Sequence, residues 1–372
     1  MRPEVVLNRY LATHNLVKRL PKEQLNSAVA VAGFPKTIKI GLSARVEGVT
    51  PESLEQLWLE TPLIRTEQEI ILPANLWQTF CPTLAPLNAA ELLEKAPRLS
   101  EVLTLLEVPP FELYEMVKEE TLLLLNKRSA TYLELLNNLS NSILATLPPF
   151  KKELWSWPSN HKEGFTVGEE VLDLLFPVVA LALPLTLERG GGKFDYHYKL
   201  FDCLQEPENI VHHYLHAYGP AFREDFAKWG EIGETQSQRM WGSIDDEEVV
   251  MTSFGVLLEN DYQSLTDLRE PEGVRLIGGD DPFYKIPHRS LLVQGKSHHN
   301  YFFKTSQEVP GMVLNDGKVV AGWFLRRHKE SFSLQIEDIG LEFGRIATQE
   351  LEAEIERLSL ALGLKSDGFS VR

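Results

Sequence analysis

Cysteine is nearly absent from this 372-residue chain: it has two, Cys81 and Cys203, far apart and without Cys-x-x-Cys spacing. A disulfide framework and a cysteine-based zinc site are therefore excluded, and a reducing cytoplasm is the expected compartment. Nucleotide-cradling glycine motifs are missing too, since neither Gly-x-Gly-x-x-Gly nor the Gly-x-x-x-x-Gly-Lys-Ser/Thr phosphate loop occurs. The serine elbow Gly-x-Ser-x-Gly is also absent. No long apolar run is intact. The most apolar stretch, 171–187, is interrupted by Asp173, Pro177 and Pro184, so it reads as a buried segment and no membrane span is expected. Residues 1–19 are polar and charged, without the apolar centre of a signal peptide. Positive charge is scarce: 37 Lys and Arg stand against 53 Asp and Glu, a net charge of −16. That balance opposes long-range attraction to a polyanion, but it does not forbid a local basic face.

What is present describes an ordinary folded protein. Hydrophobic residues make up 43% and charged residues 24%. The length suits about two to three domains. Charge is segregated along the chain. Acid concentrates at 91–120, 245–248 and 337–356. Basic residues cluster at Arg189, Lys193, His197 and Lys199, again from Lys285 through His288, Arg289, Lys296, His298 and His299 to Lys304, and at Arg326-Arg327-His328-Lys329.

Periodicity predicts a helix over 4–20, and Thr50-Pro51-Glu52-Ser53 is a helix start with Thr50 as N-cap and Pro51 in the first turn. Two short strands are expected at 63–66 and 69–73, the second ended by Pro73. Residues 86–157 read as mostly helical, with proline breaks, and 166–183 as another helix. Strands at 185–188 and 194–200 are joined by Gly190-Gly191-Gly192. Helices follow at 210–217, 222–228 and 237–244, then a strand at 249–258 with a turn at 260–262. Asp316-Gly317 between valine-rich runs marks a hairpin. A closing helix is expected at 348–362, with Gly363 just past its end.

Three segments of the C-terminal third carry a resemblance. They are Leu215-His216-Ala217-Tyr218-Gly219-Pro220-Ala221, Gly279-Asp280-Asp281-Pro282-Phe283 and Val313-Leu314-Asn315-Asp316-Gly317-Lys318-Val319-Val320-Ala321-Gly322-Trp323. In this order and spacing they resemble the winged-helix DNA-binding family that includes the AlkZ-like DNA glycosylases. The likeness is densest from 209 to 337. The second segment, followed by Arg289, is similar to that family's Phe-Asp-Pro strand. The resemblance implies an α+β fold of tandem winged helices: a first at 1–85, a helical region with a second at 86–205, and a third at 206–268. A β-rich domain with the closing helix then spans 269–372. It also implies double-stranded DNA as partner. The family's glycosylases carry Gln-x-Gln or Gln-x-Asp soon after the first glycine of the first winged helix. The corresponding stretch here, Gly33 to Gly41, holds no Gln, Asp or Glu. No catalytic residue is assigned on this basis, and because 34–39 offers no carboxylate or carboxamide, little or no base excision on alkylated duplex DNA is expected.

Other candidates have ordinary explanations. Gln236-Ser237-Gln238 has the right letters in the third unit, where a solvated helix start is the simpler reading. Asp280-Asp281 stands beside Phe283 and Tyr284, yet Asp before Pro282 after two glycines is turn chemistry. His212 and His216 share a helix face at i, i+4, but no third ligand is evident, and neither a metal nor a cofactor is expected. For DNA contact the candidates are Arg326, Arg327 and Lys329 beside the Gly-x-Trp strand, Lys193 and Lys199 on the second hairpin, and Arg289. The expected function is DNA binding without a recognisable catalytic glutamine motif. A glycosylase with a displaced catalytic residue and a protein-interaction module on the same fold are the alternatives.

Overall fold

The computed structural model describes residues 1–29, 33–35, 37–60, 63–65, 70–189, 196–202, 208–304 and 308–372. The first segment runs Pro3–Thr13 (α1), Leu25–Val29 (α2), Ile38–Arg45 (α3) and Pro51–Glu60 (α4), followed by Leu63–Arg65 (β1) antiparallel to Ile71–Pro73 (β2). The helix α1 stops well short of residue 20 because Asn15 turns into the left-handed region at φ 56°. At the start of α4, Thr50 and Ser53 cap each other: each side chain accepts from the other's backbone N–H, at 2.8 and 3.2 Å.

Ala74–Leu84 (α5) follows directly and was not legible in the sequence. Pro73 ends the strand but also stands immediately before the first helical residue, where its missing N–H costs nothing. A helical stretch comes next: Ala89–Lys95 (α6), Leu99–Leu106 (α7), Pro110–Leu125 (α8), the short strand Ala130–Thr131 (β3), Tyr132–Thr146 (α9), Pro149–Trp155 (α10) and Val167–Ala182 (α11). Thr131 with Glu134 and Thr166 with Glu169 form reciprocal capping boxes that fix where α9 and α11 begin. Leu185–Arg189 (β4) and Tyr196–Leu200 (β5) pair antiparallel, with β3 on the other edge of β5. The Gly190–Gly192 connection lies outside the described residues.

Ile210–Tyr218 (α12), Arg223–Gly230 (α13) and Glu234–Trp241 (α14) then lead into Val249–Thr252 (β6) and Gly255–Leu258 (β7). The single strand expected at 249–258 is thus a hairpin, because Gly255 at φ 106° reverses the chain. The expected turn at 260–262 lies within the short helix Glu259–Gln263 (α15). The remaining elements are Val274–Ile277 (β8), Lys296–Phe303 (α16), Gly311–Asn315 (β9), Lys318–Arg327 (β10), Ser331–Glu337 (β11), Thr348–Leu362 (α17) and Lys365–Val371 (β12). Five strands form one sheet in the order β12-β11-β10-β9-β8, with β12 parallel to β11 and the other neighbours antiparallel. Asp316 and Gly317, at φ 48° and 75°, make the hairpin turn between β9 and β10. Two expectations fail in this region. Residues 279–292 contain two 3-10 turns beyond β8, since Pro282 and Pro287 withhold ladder donors. The helix α17 does not close the chain: Gly363 at φ 65° ends it, and β12 returns to extend the sheet.

The buried apolar residues among those described fall into four clusters. One is confined to residues 92–198, around Leu135, Leu139, Trp155, Val171 and Phe176. The largest joins α1 and α5 to α12, α13 and the sheet. The helix α11, the most apolar in the sequence, buries Val171, Leu172, Leu175 and Phe176, and no helix among the described residues is long and apolar enough to cross a membrane. Three buried ion pairs clasp the two ends of the chain together: Arg9 with Asp261 at 2.7 Å, Arg19 with Glu354, and Arg45 with Asp281 at 2.7 Å.

Candidate functional site

The segment after Gly33 is held as an added strand. Phe34 exchanges backbone hydrogen bonds with Ile71, at 2.8 and 2.6 Å. This sets Gly33 and Pro35 beside β2, and α3 begins just beyond Thr37. Arg45, at the end of α3, donates from Nη1 and Nη2 to Oδ2 and Oδ1 of Asp281, both at 2.7 Å. Its Nε donates to the carbonyl of His14 and its Nη1 also to that of Gly41, each at 2.8 Å. The Phe34 ring lies under the same guanidinium, 5.1 Å from its centroid. Gly41 permits this close packing, because a Cβ there would stand 2.7 Å from the Phe34 ring.

The two aspartates divide their work. Asp281 is buried, paired with Arg45, and accepts from the Phe283 N–H at 2.9 Å, which closes the turn. Asp280 is exposed, and its Oδ2 accepts from the Thr37 hydroxyl at 2.6 Å. That contact brings a carboxylate to the stretch 33–41, which has none of its own.

Asp280, Gly33 and Pro35 border a cavity of about 320 Å³. Its apolar walls include Leu72, Phe80, Leu84 and Trp229, with the Phe80 and Trp229 rings edge to face at 5.4 Å. Among the described residues, Lys95, Glu231 and Lys285 are its other charged lining residues. Burial pushes the Cys81 thiol up to about 12, so this lining sulfur stays protonated and unreactive. Burial lowers the Lys95 ammonium below its ordinary range, partly opposed by Glu231, and its Nζ donates to the Glu231 carbonyl at 3.1 Å.

A second hollow, of about 540 Å³, adjoins the first; Trp229, Glu231 and Lys285 line both. Lys228, Lys285 and Arg289 face Asp225 and Glu231 there, with His288 and His299 completing the rim. The Arg289 guanidinium stacks 5.0 Å from the centroid of the Phe303 ring. His288 Nε2 donates to the Phe254 carbonyl at 2.7 Å, which fixes the ring.

The candidate residues read from sequence do not converge on one place. Arg289 is in this trough. Arg326, Arg327 and Lys329 are exposed at the far end of β10 and its turn; Arg326 lies 2.9 Å from Glu308 and stacks on Phe324. Lys199 on β5 meets Glu188 across the strand pair at 3.0 Å. Lys193 and Cys203 lie outside the described residues. None of Arg326, Arg327, Lys329 or Lys199 lines the cavity or the trough. His212 and His216 are taken up by Glu248 and Asp261, at 2.9 and 3.1 Å. Among the described residues no group of three or more His, Cys, Asp or Glu is arranged to hold a metal ion.

The solvated reading of 236–238 holds for Gln238 and is corrected for Gln236 and Ser237, both buried. Gln236 ties two helices together. It is fully buried, and its Nε2 donates to the carbonyls of Leu84 and Ala85 at 3.1 and 3.3 Å. The side chain ties α14 to the end of α5, whose last carbonyls need donors. Sequence reasoning passed over Thr37, Phe80, Lys228 and Trp229. They come from three separate segments, Lys228 and Trp229 together from α13, and none has a local signature.

Comparison with known proteins gives three results. A family model described as "AlkZ-like: DNA glycosylase AlkZ-like" matches residues 24–360. An interstrand DNA cross-link repair glycosylase of Streptomyces sahachiroi is 26% identical over 131 residues, a match that spans 32% of this chain and 35% of that relative's length. The solved structure of Streptomyces sahachiroi DNA glycosylase AlkZ has a TM-score of 0.70 and 16% identity over 99% of this chain and 98% of the other. At that identity the likeness is one of fold.

Proposed function

Because this chain belongs to the AlkZ-like DNA glycosylase family, we propose that it is a DNA-binding repair protein that receives an extruded nucleotide in the cavity beside Asp280. The observation that carries this reading is the continuity of the two hollows. An enzyme acting on a base takes it out of the stack into a pocket with apolar and aromatic walls. The neighbouring backbone then needs cations placed for phosphate oxygens. Here an apolar cavity with Phe80 and Trp229 opens beside Lys228, Lys285 and Arg289. On a chain of net charge −16, such local placement is what contact with DNA requires.

In this reading the three helix-and-hairpin units, within 1–85, 86–205 and 206–268, are winged helices, and the segment 269–372 is the β-rich domain that carries the Asp280 loop. Arg326, Arg327 and Lys329, with Lys193 and Lys199, are proposed as outlying backbone contacts. Glu308 and Glu188 offset Arg326 and Lys199, so the trough is preferred over them. The cytoplasm is the proposed compartment.

A titration of a short duplex at several salt concentrations tests the reading. Removing one cation that touches a phosphate lowers the magnitude of the log–log salt slope by about 0.9. The double variant Lys285→Ala/Arg289→Ala is expected to bind more weakly across sequences and with a flatter slope. Arg326→Ala/Arg327→Ala measures the outlying cluster in the same way. Absence of wild-type binding at low salt overturns the DNA reading and favours a protein-interaction role on the same fold.

A further inference from the structure

We propose that Asp280 activates the water that hydrolyses the N-glycosidic bond of the nucleotide held in the cavity. The inference rests on the reading of that cavity as a nucleotide site and adds the chemistry to it.

Three observations lead to this residue. First, Asp280 is an exposed carboxylate at the cavity edge, oriented by the Thr37 hydroxyl at 2.6 Å. Second, its backbone is held from both sides. Asp281 is clamped by Arg45 and by the Phe283 N–H. Gly279 packs so closely that a Cβ there would stand 2.1 Å from the Val309 carbonyl oxygen. A carboxylate on a rigid turn, with an oriented head, is what water activation needs. Third, the other reactive groups of the lining are less suited. The Cys81 thiol is protonated, and the Lys95 ammonium is engaged by the Glu231 and Gly230 carbonyls. Glu231 is the remaining carboxylate of the described lining, and it sits on the trough side, past the end of α13.

The step balances without a further co-reactant. As the bond from C1′ to the base nitrogen breaks, its electron pair leaves with the base. The water oxygen bonds to C1′, and Asp280 accepts one water proton, later released to solvent. A cationic base departs neutral and needs no proton of its own. The negative carboxylate also offsets the positive charge that develops on the sugar. One water is consumed, and the products are the free base and an abasic deoxyribose.

The test uses the full chain and a duplex with a single N7-methylguanine, whose departure requires no acid. Single-turnover abasic-site formation and DNA affinity are measured side by side. The wild type is expected to excise the base, and Asp280→Asn to lose about 10²–10⁴-fold in rate with affinity and melting temperature unchanged. Thr37→Val is expected to lose part of the rate and Thr37→Ser to keep it, which marks Thr37 as a positioning residue. Wild-type binding without excision overturns the Asp280 assignment and leaves the binding reading standing, whereas no binding removes both. Full activity in Asp280→Asn overturns the assignment. So does a borohydride-trapped protein–DNA adduct that disappears in Lys95→Gln, because it makes lysine the nucleophile.

Discussion

Asp281→Asn isolates the buried charge that joins α3 to the Asp280 loop. Asparagine keeps the size and the oxygen that accepts from Phe283 N–H, so the turn survives. What disappears is the counter-charge of Arg45, whose side chain and that of Asp281 are each 1% exposed. Removing one partner of a buried pair leaves the other charge desolvated, at a cost of about 3–5 kcal/mol. Arg45 keeps the carbonyls of His14 and Gly41 and the Phe34 ring, which places the expected loss at about 3 kcal/mol, the lower end of that range. Urea unfolding followed by tryptophan fluorescence and far-ultraviolet circular dichroism measures it, with agreement between the two probes required. The double variant Arg45→Met/Asp281→Asn leaves no buried charge and is expected to recover most of the loss. A single variant within about 1 kcal/mol of wild type, too small for an uncompensated buried charge, refutes the reasoning. A double variant as unstable as the single one assigns the loss to the turn instead.

Two further outcomes follow from buried polar groups. His14 is fully buried, and desolvation, with Arg45 and Arg9 nearby, pushes its pKa well below the ordinary 6.5. It is therefore neutral when folded, while the unfolded chain takes up the proton below about 6.5. Stability must fall as pH drops through that value, and the loss continues until the lowered folded-state pKa is reached. Stability measured from pH 5 to 8 should fall less steeply on the acid side in His14→Gln, and an equal slope refutes the assignment. Gln236→Ala strips the Leu84 and Ala85 carbonyls of their donor and should cost about 1–3 kcal/mol without changing DNA binding per folded molecule. Lost base excision at unchanged stability in that variant would instead give Gln236 a catalytic role.

What the sequence determined by itself is what acts over a few residues. Thr131 with Glu134, Thr166 with Glu169 and Thr50 with Ser53 each bond at a separation of three, so helix starts were legible. The Asp316-Gly317 turn and the Gly363 stop need only backbone conformations that their residues favour. The absence of Gln, Asp and Glu from 33–41 is also plain in the sequence, but its meaning came only from the family resemblance. Local signals also misled. Pro73 reads as a terminator, although it equally precedes a helix, so α5 stayed hidden. Pro282 made Asp280-Asp281 look like a turn and nothing more, and for Asp281 the turn is real. The tertiary structure alone decided that Arg45 meets Asp281 across 236 residues, Arg19 meets Glu354 across 335, and Thr37 meets Asp280 across 243. Charged side chains give no local sign of their distant partner. Only burial, which makes an unpaired charge costly, selects among the many carboxylates of an acidic chain. The same packing brings Phe80 and Trp229 to one cavity and sets a carboxylate from the C-terminal sheet region beside an N-terminal segment that lacks one.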